Sequence, residues 1–278
     1  MALRIVTDST CDLPGHLISE HDIEVVPIHV IWGKESFRDG VDICSRDFFE
    51  RLQARDDLPT TSQPAVGDFA TVYSRLVEKG DSVISIHLSS KLSGTYTSAL
   101  MAKDLVGGDI HVVDSQNISL GLGFQVLEAA RAAVTGSKNE VFRAISSTMH
   151  SMRFMCALRT LEYLRKGGRI ADMSAFIGTL LNIKPLLSVE KGLLVSTERA
   201  RGFQQALARM IDSVTSSLPR GARHVVGVIH AAARETAERL QEELVNRLRP
   251  LEVYLTETGP ALGTHAGPGA VGIAAYSK

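Results

Sequence analysis

Two hydrophobic rhythms alternate through the first half of the chain. Leu3–Val6, Val83–Leu88 and Ile110–Val113 are apolar without strict alternation, which predicts strands buried on both faces of a parallel sheet. Asp68–Lys79, Thr95–Leu105, Gln125–Val134 and Val141–Met152 repeat apolar residues at helical spacing. Strand–helix–strand repetition predicts right-handed crossovers and a doubly wound sheet. Ile23–Pro59 breaks the rhythm. Its long apolar run Ile23–Trp32, followed by Gly33, Lys34 and a Gly40–Val41 turn, predicts a hairpin or ribbon inserted at about residues 28–60.

The second half has a different texture. Phe154–Leu158 precedes a short helix at Leu161–Arg165, a Gly167–Gly168 turn and a helix around Ser174–Leu181. Pro185–Val189 and Leu193–Thr197 flank Glu190-Lys191-Gly192, which predicts a hairpin. Phe203–Leu218 and Glu235–Leu248 read as amphipathic helices, and Val225–Ile229 and Val253–Thr256 as strands. The change of texture near Met152 predicts an N-terminal α/β domain over 1–152 and a C-terminal α/β domain with a mixed or antiparallel sheet over 153–278. No internal repeat or low-complexity segment interrupts either half.

Composition narrows the function. Of 278 residues 44% are hydrophobic and 22% charged, a globular balance. The 30 basic and 31 acidic residues leave a net charge of −1, so no global field draws the chain to nucleic acid or an anionic membrane. The basic clusters Arg165-Lys166/Arg169 and Arg199/Arg201 are too short to read as nucleic-acid tails. Three scattered cysteines form no C-x-x-C pair, which points away from a disulfide framework or zinc site. The early charged turn argues against a signal peptide, and no apolar run approaches the ~20 residues of a membrane span. A cytoplasmic protein, in at most transient membrane contact, is expected.

Hydroxyls, glycines and single polar groups gather where the predicted strands end, the place where open α/β sheets bind ligands. They lie in Thr7-Asp8-Ser9-Thr10, Thr60-Thr61-Ser62-Gln63-Pro64, Ser89–Tyr96, Asp114-Ser115 and the glycine-rich Gly259–Gly269, read as a loop holding His265. Ser93-Gly94-Thr95 leads into a helix, whose free N–H groups suit an anion, although Ser93 as a plain N-cap explains the same residues. Thr61-Ser62-Gln63-Pro64 alone reads as a turn before proline, and Asp8 as a cap of the turn that follows it. His265 has the chemistry of an oxyanion donor, a base or a loop brace. Gly121-Leu122-Gly123 lacks a third glycine and reads as a helix-start turn rather than a dinucleotide loop. No G-x-S-x-G elbow, Walker A loop or H-E-x-x-H is present.

Taken in order, six stretches resemble the DegV family, whose best-understood members are the fatty-acid-binding subunits of bacterial fatty acid kinase. They are Thr7–Leu13, Thr61–Pro64, Ser89–Tyr96, Thr160–Ile170, Lys184–Leu187 and Gly263–Gly269, spread over nearly the whole chain. Ala65 and Cys11 depart from the family pattern, without removing a head-group residue. The resemblance implies two α/β domains with a long-chain fatty acid buried between their layers, and no other cofactor or metal. It implies carboxylate binding by Thr61, Ser62, Ser93 and His265, support from Gly94 and Thr95, charge neutralisation by Arg169, and a kinase-facing surface at Arg199 and Arg201. The chain itself would then be no enzyme, its partner kinase making the acyl phosphate. Two other readings stand beside it: a serine esterase or acyltransferase using Ser93 and His265 with Asp8 or Asp114 as orienter, and a small-metabolite regulatory module.

Overall fold

In the computed structural model, which describes residues 2–134, 136–169 and 183–278, β1 (Leu3–Asp8) lies between β2 (Glu24–Val26) and β6 (Ser82–His87). The latter pairs in turn with β7 (Ile110–Asp114), and every pairing is parallel. All six residues of β6 are buried, as a strand covered on both faces requires. Phe69, Tyr73 and Leu76 of α3 (Val66–Glu78) and Ala99 and Ala102 of α4 (Thr95–Val106) cover one face. Leu17 of α1 (Gly15–Glu20), α5 (Ser119–Ala133) and α6 (Lys138–Ser151) cover the other, so the sheet is doubly wound.

The inserted segment is richer than a ribbon. β3 (His29–Trp32) and β4 (Glu35–Arg38) form the expected hairpin at Gly33 and Lys34, but β5 (Thr60–Ser62) adds a third antiparallel strand, with Thr61 opposite Val30. Thr61 and Ser62 therefore stand in a strand and not in a turn; their partner lies some thirty residues upstream, beyond the reach of local pattern. Between β4 and β5 runs an unanticipated helix, α2 (Ser45–Ala54), which buries Phe48, Phe49 and Leu52 at three- and four-residue spacing.

The second sheet has six strands in the order β10 (Leu193–Arg201), β9 (Ile183–Glu190), β8 (Arg153–Ala157), β13 (Val271–Ser277), β11 (His224–His230) and β12 (Glu252–Glu257). All neighbours are antiparallel except β11 and β12, so the sheet is mixed. The β9–β10 turn is the expected one, Lys191 and Gly192 both having the positive φ of a two-residue hairpin. Arg199 and Arg201 belong to the end of β10 itself. α8 (Phe203–Ser217) and α9 (Arg234–Leu248) cover one face. β13, near the middle of the sheet, was not foreseen: Val271-Gly272-Ile273-Ala274-Ala275 is rich in small residues with weak strand preference, and its place is set by neighbours on both sides. The helix expected around Ser174–Leu181 lies outside the described residues.

α5 binds the two sheets into one body. Ile5 and Ile84 of the first sheet, Leu120 and Phe124 of α5, and Val225 and Tyr276 of the second share one apolar cluster. This explains glycines inside a helix: a Cβ on Gly123 would stand 2.3 Å from the Cys11 carbonyl oxygen, so only glycine lets α5 approach the end of β1. Polar ties reinforce the seam. Asp12 accepts from Ser119 Oγ (2.6 Å), Thr258 Oγ1 (2.8 Å) and Gly259 N–H (2.9 Å). Ser89 Oγ donates to the Gly192 carbonyl of the β9–β10 turn at 2.7 Å.

Candidate functional site

The site is built where the inserted three-stranded sheet meets the ends of the two larger sheets. Thr61 and Ser62 come from β5; Ser93 comes from the loop between β6 and α4; Arg169 follows α7 (Glu162–Gly167); His265 comes from α10 (Pro260–Ala266). His265 does not lie in a loop: Pro260 at the first helical position and the positive φ of Gly267 bracket a short helix, and His265 sits in its last turn. Thr61, Ser62, Ser93, Arg169 and His265 line one cavity, together with Thr10, Gln63 and apolar residues including Leu262.

Within it, His265 Nε2 lies 2.8 Å from Thr61 Oγ1. Nδ1 is buried, packs beside Gly167 and has no hydrogen-bond partner. A buried bare lone pair costs less than a buried orphan N–H, so the neutral Nε2–H tautomer fits best. In it the ring donates to Thr61, whose hydroxyl proton is then free to point into the cavity. Burial, and after it the charge of Arg169, push His265 down to about 4, so the ring is neutral at physiological pH. Ser93 Oγ accepts from Thr95 N–H at 3.3 Å and shares a 2.9 Å hydrogen bond with Thr95 Oγ1. It thus anchors the first turn of α4 while facing the cavity. Gly94 and Thr95 do not line the cavity; they stand behind Ser93. A Cβ on Gly94 would come within 2.6 Å of Gln63 Nε2, so glycine lets the two loops close on each other.

Below this polar mouth lies a second, almost wholly apolar space. Both are walled by Ile118, Leu164, Leu194, Leu262 and His265, and the deeper one continues over Phe154, Cys156, Leu187, Ile229 and Gly272. A few polar groups at one end of an apolar slot have the chemistry to hold an amphiphile with a small polar head. These walls come from seven separate elements and the loop before α5, and no sequence spacing announces them.

The arrangement does not assemble a serine triad. His265 meets Thr61, while Ser93 meets Thr95. Both Asp8 oxygens are occupied, by Thr10 on one side and by His87 and Leu88 N–H on the other, and Asp114 holds Ser90 and Gln116. Asp8 is thus the cap expected of it. Arg199 and Arg201 lie away from the mouth, where they share a shallow groove with Gln205 and Arg209. Among the described residues no cluster of His, Cys, Asp and Glu is arranged to hold a metal, and no helix is long and apolar enough to cross a membrane.

Beside the mouth, Asp39 is buried and accepts from Ser9 Oγ at 2.7 Å. Burial pushes it up to about 7 from 3.8, with Asp12 adding to the effect. The folded protein therefore gains a proton here as pH falls through 7, whereas the unfolded chain waits until about 3.8. Wild type gains stability across that window and loses it as pH rises through 7. The difference in unfolding free energy between wild type and Asp39→Asn is expected to shift in favour of wild type by ~1.4 kcal/mol per pH unit between about pH 7 and pH 5. Urea denaturation of both proteins across that range checks it.

Fold and site together define an α/β protein with an apolar cavity beneath a polar mouth. A family model described as "Uncharacterised protein, DegV family" matches residues 2–278, and the chain belongs to the DegV family. It is 34% identical over 276 residues to Protein DegV of Bacillus subtilis, covering 98% of each chain. Its backbone matches a fatty-acid-binding DegV family protein from Thermus thermophilus with a TM-score of 0.93 at 35% identity, covering 100% of each chain. It also matches DegV of Bacillus subtilis, described as a fatty acid binding protein, with a TM-score of 0.92 at 34% identity over 100% of each chain.

Proposed function

We propose that this protein carries a long-chain fatty acid, with the tail in the apolar space and the carboxylate at Thr61, Ser62, Ser93 and His265, and presents that carboxylate to a partner kinase for acyl-phosphate formation. The observation that carries this reading is the continuity of the hydroxyl-and-imidazole mouth with the apolar cavity through His265 and Leu262. Two solved relatives described as fatty-acid-binding support it. Neutral donors at the mouth orient a carboxylate, and Arg169 at its rim offsets the charge. The tail supplies the affinity: at about 0.8 kcal/mol per buried CH₂, roughly 15 methylenes offer ~12 kcal/mol before the costs of binding.

Native mass spectrometry of protein purified from cells tests the carrier: a co-purified fatty acid is expected, and an acyl adduct on Ser93 or a polar metabolite would refute it. For presentation, the pure protein with fatty acid, ATP and magnesium is expected to make no acyl phosphate until a fatty acid kinase is added. Charge reversal at Arg199 or Arg201, both exposed on β10, is expected to slow that turnover about tenfold with lipid affinity unchanged, because exposed charges act mainly on encounter. Loss of lipid affinity with normal turnover would reverse the assignment.

A further inference from the structure

Two glycines lie on the cavity-facing side of the six-stranded sheet, and they are used differently. Gly227 of β11 stands beside Ala274 of β13, which pairs with Phe154 of β8. A Cβ on Gly227 would meet Leu120 Cδ1 at 2.3 Å and Phe124 Cζ at 2.8 Å, so the protein's own helix α5 fills the room this glycine leaves. One row nearer the mouth, Ile229, Gly272, Cys156 and Leu187 lie side by side across β11, β13, β8 and β9. All four line the apolar cavity.

Gly272 has no structural need to be glycine. It is absent from the positive-φ residues, and the nearest atoms to an added Cβ would be Cys156 Cβ and the Met155 carbonyl at 3.4 Å and Ile229 Cδ1 at 3.7 Å, ordinary van der Waals contacts. A paired glycine within a strand that no turn, bulge or neighbouring side chain requires weakens the strand, and its usual reason is the close approach of something else. Here that something is the cavity. Ala270, just ahead of β13, and Gly272 and Ala274 within it follow at intervals of about 7 Å. Phe154, with α5 packed over Gly227, closes the far end.

We infer that Gly272 sets the length of alkyl chain the cavity accepts: its bare backbone is the floor over which the distal methylenes pass toward Phe154. This rests on the carrier reading and adds to it a residue that selects among ligands. A side chain at 272 would project into the slot and displace the methylenes beyond the Cys156–Ile229 row, leaving the head-group contacts intact.

The test is Gly272→Val, with Gly272→Ala beside it, titrated with saturated acids from lauric to stearic by calorimetry after delipidation. Stearate affinity is expected to fall on the order of 10- to 100-fold in Gly272→Val, the loss of two to three buried methylenes, while laurate stays within about twofold of wild type. Gly272→Ala is expected to show a smaller loss in the same direction. Valine favours strands, so thermal stability should not fall. An unchanged chain-length profile in either folded variant, or an equal loss for laurate and stearate, would overturn the inference while leaving the carrier reading intact. Wild-type protein that binds none of the acids would overturn both.

Discussion

Asp12→Ala should cost the protein ~3–5 kcal/mol of stability, the largest effect expected of any single change described for this chain. Asp12 is buried and serves three donors from two distant parts of the chain: Ser119 Oγ at the start of α5, and Thr258 Oγ1 and Gly259 N–H ahead of α10. Alanine leaves all three unpaired in the seam between the sheets. The backbone adds to the cost, because Asp12 has φ 49°, a left-handed conformation that aspartate tolerates better than alanine. Burial raises this carboxyl to about 6 despite the donors, so part of its worth is already offset by desolvation. Asp12→Asn, which keeps one acceptor oxygen, should cost less than half as much. Urea unfolding measures both. A loss under 1 kcal/mol for Asp12→Ala, far below the cost of stranded donors, would mean that water replaces the carboxylate and that apolar packing alone holds the seam.

The second large effect concerns ligand affinity. His265→Ala is expected to weaken fatty acid binding on the order of 10- to 100-fold, because Thr61 loses the partner that turns its hydroxyl proton toward the carboxylate. Stability should change little. The ring's Nδ1 is already an unpartnered buried atom, so its removal relieves one cost as it creates a small cavity, and alanine suits the last turn of α10. Ser93→Ala should weaken binding by a similar factor while also loosening the first turn of α4, since Ser93 Oγ accepts from Thr95 N–H. The two losses should fall short of additive, because both residues hold one carboxylate. Displacement of a fluorescent fatty acid reads the affinities. Wild-type affinity in both variants would remove these residues from the head-group site.

Much of this was legible in the chain itself. Leu3–Val6 and Val83–Leu88 fall in central strands of the sheet, where burial on both faces needs no polar alternation; Ile110–Val113 forms its half-buried edge strand, and the helices between them follow from 3.6-residue spacing. The β9–β10 hairpin followed from Lys191-Gly192, whose chemistry suits its turn. Hydroxyls gathered in Thr7–Thr10, Thr60–Pro64 and Ser89–Tyr96 marked segments that line the mouth, though Thr61 and Ser62 stand in a strand. What no local pattern held was the pairing of distant segments. β5 is a strand because β3 lies beside it, α2 hid within an apolar stretch, and β13 owes its place to the strands flanking its small residues. His265 read as a loop residue because glycines and prolines dominate its surroundings, yet Pro260 starts a helix as readily as it breaks one. The apolar cavity was beyond sequence altogether. Its walls are single residues from strands and helices scattered over the chain, each indistinguishable from an ordinary core residue until the sheets and α5 are stacked. Periodicity records which face of an element is buried; the space left between buried faces depends on how they pack, and that is decided only in three dimensions.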